Sequence, residues 1–190
     1  MYRLLAVLGA CLFGLSVNAI EQPPYRVIDA VGDVEIRRYD GYLVAQTTVT
    51  GDFSDAGTEA FRPLLDYISG DNEAGQKISM TAPVEQHSNG DEHRVTFMMP
   101  SQFDITELPE PIESDVSIAT VNARTVAVLT YSGGWQEKRY LRFAEELRIA
   151  LADSSYTICG EPVWARYNPP FWPSFLRRNE IQVSVSKDGC

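Results

Sequence analysis

Only two residues of the 190 are histidine, His87 and His93, and both flank one Ser88-Asn89-Gly90-Asp91 turn. Nucleophilic catalysis needs a serine or cysteine beside a base that a third group orients. Two histidines on a single turn, with no nucleophile-elbow glycine pattern, do not supply that arrangement. Phosphate-cradling glycine patterns of the Walker or dinucleotide type are missing too. Carboxylates abound, but nothing singles out a pair for glycoside chemistry. The sequence therefore gives no support for an enzyme. Positive charge is short as well, with 16 Lys and Arg against 26 Asp and Glu. That balance opposes a nucleic-acid or anionic-membrane binder, since both need basic patches to displace counterions.

Long apolar runs are confined to the N-terminus. Arg3, the run LLAVLGACLFGL and the small-residue pattern Val17-Asn18-Ala19 read as an export signal over residues 1–19. The run is too short to span a bilayer stably, so no stable membrane insertion is expected. Leu8-Gly9-Ala10-Cys11 also resembles a lipoprotein cleavage box. The remaining residues 20–190 suffice for one domain with a real core and are too few for two. Export predicts a periplasmic or secreted protein, and a monomer is expected. In that oxidising space Cys159 and Cys190 either pair or remain inert thiols; their spacing in sequence does not decide.

The chain reads as if written twice. Laying it on itself so that Val44-Ala45 meets Val126-Ala127 also brings Gly51 onto Gly133, Phe53 onto Trp135, Phe61 onto Phe143 and Leu65 onto Leu147. Each copy opens on a β-rich run, Tyr42 to Gly51 and Arg124 to Gly134. A helix follows. In the first copy Ala56, Ala60, Phe61, Leu64, Leu65 and Ile68 fall on one face behind a Ser54 or Asp55 cap, and Pro63 should kink the helix or delay its start. In the second, Leu141, Ala144, Leu147 and Leu151 form the buried stripe. Two further β segments close each copy: Lys77–Gln86 and His93–Pro100, then Tyr156–Tyr167 and Asn179–Val185, with lead-in strands near Arg26–Ala30 and Val34–Tyr39. The Asn-Gly turn joins the first pair as a hairpin. The predicted fold is α+β, two βαββ units forming a distorted antiparallel β-barrel or sheet with two helices packed on it in pseudo-twofold symmetry.

Near the end of the chain, YNPPFWPSFLRRNE packs Pro169, Pro170 and Pro173 among aromatic rings. The prolines forbid helix and a central strand, leaving a stiff loop whose Phe171, Trp172 and Phe175 either cap the core or wall a pocket for something flat and apolar. Together with VEIRRYDGYLVA, KISMTAPV, the FMMP strand end and DVSIATVNARTVAVLTYSGGW, this segment resembles the SOUL haem-binding protein family over about Tyr25 to Val185. The resemblance implies tetrapyrrole binding in an apolar groove between the first helix and the proline-rich loop, and no catalytic apparatus. Phe61, Leu64 and Leu65 on the helix, with Phe171 and Trp172 on the loop, are the candidate walls. Arg62, Arg177 or Arg178 could meet a haem carboxylate, while Arg177-Arg178-Asn179-Glu180 also reads as a tie between the last strand and its neighbours.

The chain departs from the family pattern at several places. Where some members hold a histidine discussed as an iron ligand, this one has Arg38, which cannot ligate iron. Where some hold a basic residue for the propionates, it has Thr58, Asp66 and Trp172. Haem is therefore expected without a strong axial protein ligand. His87 and His93 beside Asp91 and Glu92 could form a metal site but read better as a solvated hairpin tip. Met80, Met98 and Met99 read as core filler, and Tyr67 as an exposed helix end or, failing that, a phenolate ligand. The alternative function is an effector-binding module for another flat apolar or cationic small molecule, a choice that fold alone does not settle.

Overall fold

The computed structural model describes residues 20–190; the export-signal and Cys11 readings lie outside the described residues. Strands β1 (Tyr25–Val31), β2 (Val34–Tyr39) and β3 (Tyr42–Thr50) lead into two short helices, α1 (Phe53–Glu59) and α2 (Phe61–Ser69). Then come β4 (Val84–Asn89), β5 (Glu92–Met98), β6 (Ser117–Val121), β7 (Arg124–Ser132) and α3 (Glu137–Leu151). Finally, β8 (Thr157–Ile158), β9 (Val163–Arg166) and β10 (Arg178–Ser186) complete the domain, with one 3-10 turn at Ser174–Leu176. The strands form one antiparallel, curled half-barrel sheet in the order β1-β2-β7-β10-β9-β4-β5-β3-β6, with β8 alongside β10. The units β3-α1-α2-β4-β5 and β7-α3-β9-β10 take matching places on either side of the β4·β9 seam. That is the arrangement expected of two related units, although the duplication itself remains a reading of the sequence.

Several local expectations change. The first helix is broken at Ala60, and Pro63 falls in the first turn of α2, where its missing N–H breaks no helical hydrogen bond. Asp52, not Ser54 or Asp55, is the N-cap of α1, and it makes no side-chain capping bond. On α3, Leu141 is exposed, and the buried stripe is Tyr140, Leu147 and Leu151 with Phe143 and Ala144 beside them. Residues 77–82 are not strand; β4 begins at Val84 and runs on to Asn89. The hairpin loop is Gly90-Asp91, with Gly90 at φ 64°, the conformation a two-residue turn needs and glycine adopts freely. Tyr156–Tyr167 splits into β8 and β9, and β6 adds a strand beyond the predicted set.

Both faces of the central strands are buried. One face meets the helices, where Trp164 stacks on Phe53 of α1 at 5.4 Å between ring centroids and Tyr131 stacks on Phe143 of α3 at 4.0 Å. The other face, closed over by the curl, carries two carboxylates, Glu180 and Glu85, each paired across the sheet with Ala165 of β9. Glu180 accepts from Arg37 at 3.0 Å, Arg178 at 2.6 Å and the Tyr167 hydroxyl at 2.7 Å. Burial alone would raise the Glu180 pKa, but Arg37 and Arg178 outweigh it and hold the carboxyl below the usual range. The same holds for Glu85, where burial is offset by His87, Arg124 and Tyr42.

Cys159 and Cys190 are joined, with Cα atoms 5.6 Å apart. The bridge closes a loop of sequence separation 31 and ties the tail beyond β10 back beside β8. A loop of that length corresponds to roughly 3–4 kcal/mol of chain entropy removed from the unfolded state. At roughly 2–4 °C per kcal/mol for a chain of this size, reduction or Cys190→Ser should lower Tm by roughly 6–16 °C. Melting with and without a phosphine reductant checks this; an unchanged Tm on full reduction would contradict it.

Candidate functional site

The proline-rich loop does not cap the core. Phe171 is 81% exposed, Phe175 73%, Leu176 56% and Trp172 42%. Four large apolar side chains left in water on one short segment are a different matter from scattered surface leucines, because contiguous apolar patches of this kind mark contact sites. The segment is nonetheless braced. Arg177 donates from Nε to the Trp172 carbonyl at 2.9 Å and also to the Pro170 carbonyl, crossing the loop from inside. Its guanidinium lies over the Trp135 ring at 4.5 Å, which fastens the loop base to the turn between β7 and α3. Asn168 receives the Arg178 N–H at 2.7 Å where β10 begins.

The predicted helix residues divide. Leu64 is fully buried among Ala45, Val95 and Phe97, so it is core rather than wall. Phe61 is half-buried, edge-on to Phe97 at 5.2 Å. Leu65 is exposed and joins Ile68, Ser69, Lys77, Ile78 and Met80 around an apolar depression of about 300 Å³. Arg62 points into water, 3.8 Å from Asp66, which is the ordinary pair of a helix surface. Ile78, itself a core residue, and the exposed Met80 meet at this depression because residues 77–82 do not form the expected strand. Arg178 is committed to Glu180, and Asn179 receives the Trp135 indole N–H at 2.9 Å and donates to the Gly133 carbonyl at 3.1 Å. The reading of these last residues as a tie between the last strand and its neighbours holds for Asn179 and Glu180, while Arg178 pairs within its own strand.

The other ligand candidates are otherwise engaged. His93 is buried rather than solvated; its ring nitrogens lie 2.8 Å from Ser88 Oγ and 3.0 Å from the Gly51 carbonyl. His87 sits 3.5 Å from Glu85. Tyr67 is buried, not exposed: its hydroxyl donates to the Pro109 carbonyl at 2.9 Å, and burial pushes its pKa up to about 12. Met98 and Met99 are core, while Met80 is exposed. A larger depression, about 490 Å³, lies away from the loop and is lined by Ile28, Arg38, Thr125, Tyr156 and Lys187, among others.

A curled antiparallel sheet with helices on one face and a braced apolar loop between its central strands β9 and β10 defines an α+β half-barrel module. The SOUL heme-binding protein family model matches residues 20–184, and the chain belongs to that family. Mouse Heme-binding protein 1 is 29% identical over 191 residues, covering 94% of this chain and 97% of the relative. Mouse Heme-binding protein 2 is 32% identical over 193 residues, covering 92% and 90%. Among solved structures, the EcmrR C-terminal domain superposes with a TM-score of 0.63 at 14% identity over 86% of this chain and 98% of that one, a likeness of fold.

Proposed function

We propose that this protein is an exported tetrapyrrole-binding protein, most simply a haem carrier, buffer or sensor rather than an enzyme. The observation that carries the reading is the loop: Phe171, Trp172 and Phe175 are held by prolines and by Arg177 in positions that leave their rings in water. A flat apolar disc needs ring-sized surfaces of this sort, already ordered before it arrives. The exposed side of α2, with Leu65 and Met80 at its depression, supplies further apolar surface. Residues suited to apolar contact are therefore present, and among the described residues no set of three His, Cys, Asp or Glu side chains gathers as a metal site. Bound haem would bring its iron as a redox and gas-binding centre; the chain contributes shelter and orientation. The Cys159–Cys190 bridge supports an oxidising compartment, as export would provide.

Haemin titrated into residues 20–190 should shift the Soret band saturably, with one-to-one stoichiometry. A response no larger than that of an equally acidic control protein would remove the proposal. Saturable binding of a flat cationic dye without any of haemin would move the reading to the effector-module alternative.

A further inference from the structure

In a chain where acids outnumber bases, half of the buried and partly buried arginines have found a carboxylate: Arg37 and Arg178 share Glu180, and Arg124 meets Glu85. Three have not. Among the described residues, Arg139, Arg166 and Arg177 are partly buried and lie within 4.0 Å of no acid. All three gather at one seam. Arg166 sits 5.5 Å from the Trp135 ring centre, on which Arg177 also lies, and the Arg139 guanidinium is packed against Gly133.

The sheet register explains the convergence. Tyr131 of β7, Asn179 of β10 and Arg166 of β9 are partners in one row, and Trp164, two residues before Arg166, shares their helix-facing side. Seven buried side-chain polar atoms of the described residues lack a well-formed hydrogen bond, and four of them are here: Arg139 Nε, Arg166 Nε, and Tyr131 Oη with Trp164 Nε1, whose N–H is directed at the Tyr131 oxygen and leaves the Tyr131 hydroxyl proton free to donate. Tyr131 and Trp164 are both more than nine-tenths buried. The hydrogen bond that Arg166 does make, to Gln86 Oε1, is 3.5 Å long, the outer limit of such a bond. Buried donors without acceptors are costly, and a cluster of them calls for an explanation. Helix α1 makes room for the guanidinium: a Cβ at Gly57 would stand 2.5 Å from Arg166 Nη1. Burial pulls the Arg166 pKa down to about 10, as expected of a cation with no counter-charge.

We propose that Arg166, Arg139 and Tyr131, with the Trp164 indole behind Tyr131, form a receptor for a single carboxylate group beside Trp135 at the base of the proline-rich loop. Three donor groups and no acid match one planar anion, and arginine is the side chain best shaped to hold it. The carboxylate could be borne by a tetrapyrrole or by a free organic acid, and the site does not depend on which.

Benzoate and acetate are the probes for the free acid; haemin and its dimethyl ester, which lacks the carboxylates, are the probes for the tetrapyrrole. Two-dimensional NMR of the indole N–H groups gives the readout. In the native chain, either benzoate should shift the Trp164 and Trp135 signals saturably, or haemin should bind at least tenfold tighter than its ester. Arg166→Gln should abolish whichever preference is seen, while Arg142→Gln, a paired surface arginine, should keep it. Should Arg166→Gln fail to fold, Gly57→Ala keeps the charge, favours the helix and pushes the guanidinium aside, and should weaken the same preference at least tenfold. Silence of both indoles toward benzoate and acetate, together with equal affinity for haemin and ester, would overturn the receptor. So would a preference that Arg166→Gln or Gly57→Ala leaves intact. Haemin failing to bind while benzoate saturates would sink the tetrapyrrole reading and leave the receptor standing.

Discussion

Replacing Glu180 by alanine should lower stability by about 3–5 kcal/mol, the range expected when one member of a buried ion pair is removed. The carboxylate is wholly buried, and it holds Arg37 of β2, Arg178 and Gln182 of its own strand, and Tyr167 from beyond β9. Its loss leaves the Arg37 guanidinium buried, with Glu35 at the rim as its remaining acid. Urea unfolding at pH 7 reads the loss directly. A second feature separates this from simple cavity formation. Because the folded pKa of Glu180 lies below the unfolded value near 4.3, its contribution is present above that pH and fades as pH falls through the folded pKa. The gap between native and Glu180→Ala stability should therefore narrow on acidification below about pH 4.3. A gap that stays constant with pH would assign the loss to packing alone.

The second large effect concerns function without stability. Phe171→Ala combined with Trp172→Ala should leave the melting temperature almost unchanged, because exposed rings contribute little to folding, commonly within about 0.5 kcal/mol each. Haemin affinity should fall far more. Losing roughly 100 Å² of ring contact at about 25 cal/mol per Å² amounts to about 2.5 kcal/mol, on the order of a 70-fold change in Kd. Destabilisation comparable to a core deletion would return the loop to a capping part. Unchanged haemin affinity would remove its rings from the site.

How far the sequence carried can be read from particular residues. The strand at Val34–Tyr39 and the hairpin between β4 and β5 followed from local chemistry, with the turn one residue further on at Gly90-Asp91, as did the break before Pro63. On α3 Leu147 and Leu151 are buried as expected and Leu141 is not, because both leucines also fit the stripe that runs through Tyr140. Tertiary contacts chose the stripe with Tyr140, whose hydroxyl donates to the Pro162 carbonyl at 2.8 Å. His93 gave no sign of burial, since its hydrogen-bond partners, Ser88 and Gly51, come from the facing position of β4 and a distant strand end. Charges inside the curl were also illegible: Glu85 stands in a run, VEQHSN, that reads as a polar hairpin arm, yet the sheet closes over it. For the site, sequence named the loop rings, which proved exposed, but not the fate of Leu64, whose helical spacing looks the same whether it faces core or ligand. The meeting of Arg166 with Gly57 and Trp135 is set by fold alone.

All of this depends on where a tetrapyrrole lands. Amide and indole NMR perturbation of the 15N-labelled chain by a diamagnetic zinc porphyrin carrying two propionates would map it. The account predicts changes concentrated at Phe171 to Arg177 and along the exposed side of α2 around Leu65. Changes centred instead on Ile28, Arg38 and Lys187 at the other depression, with the proline-rich loop silent, would contradict it.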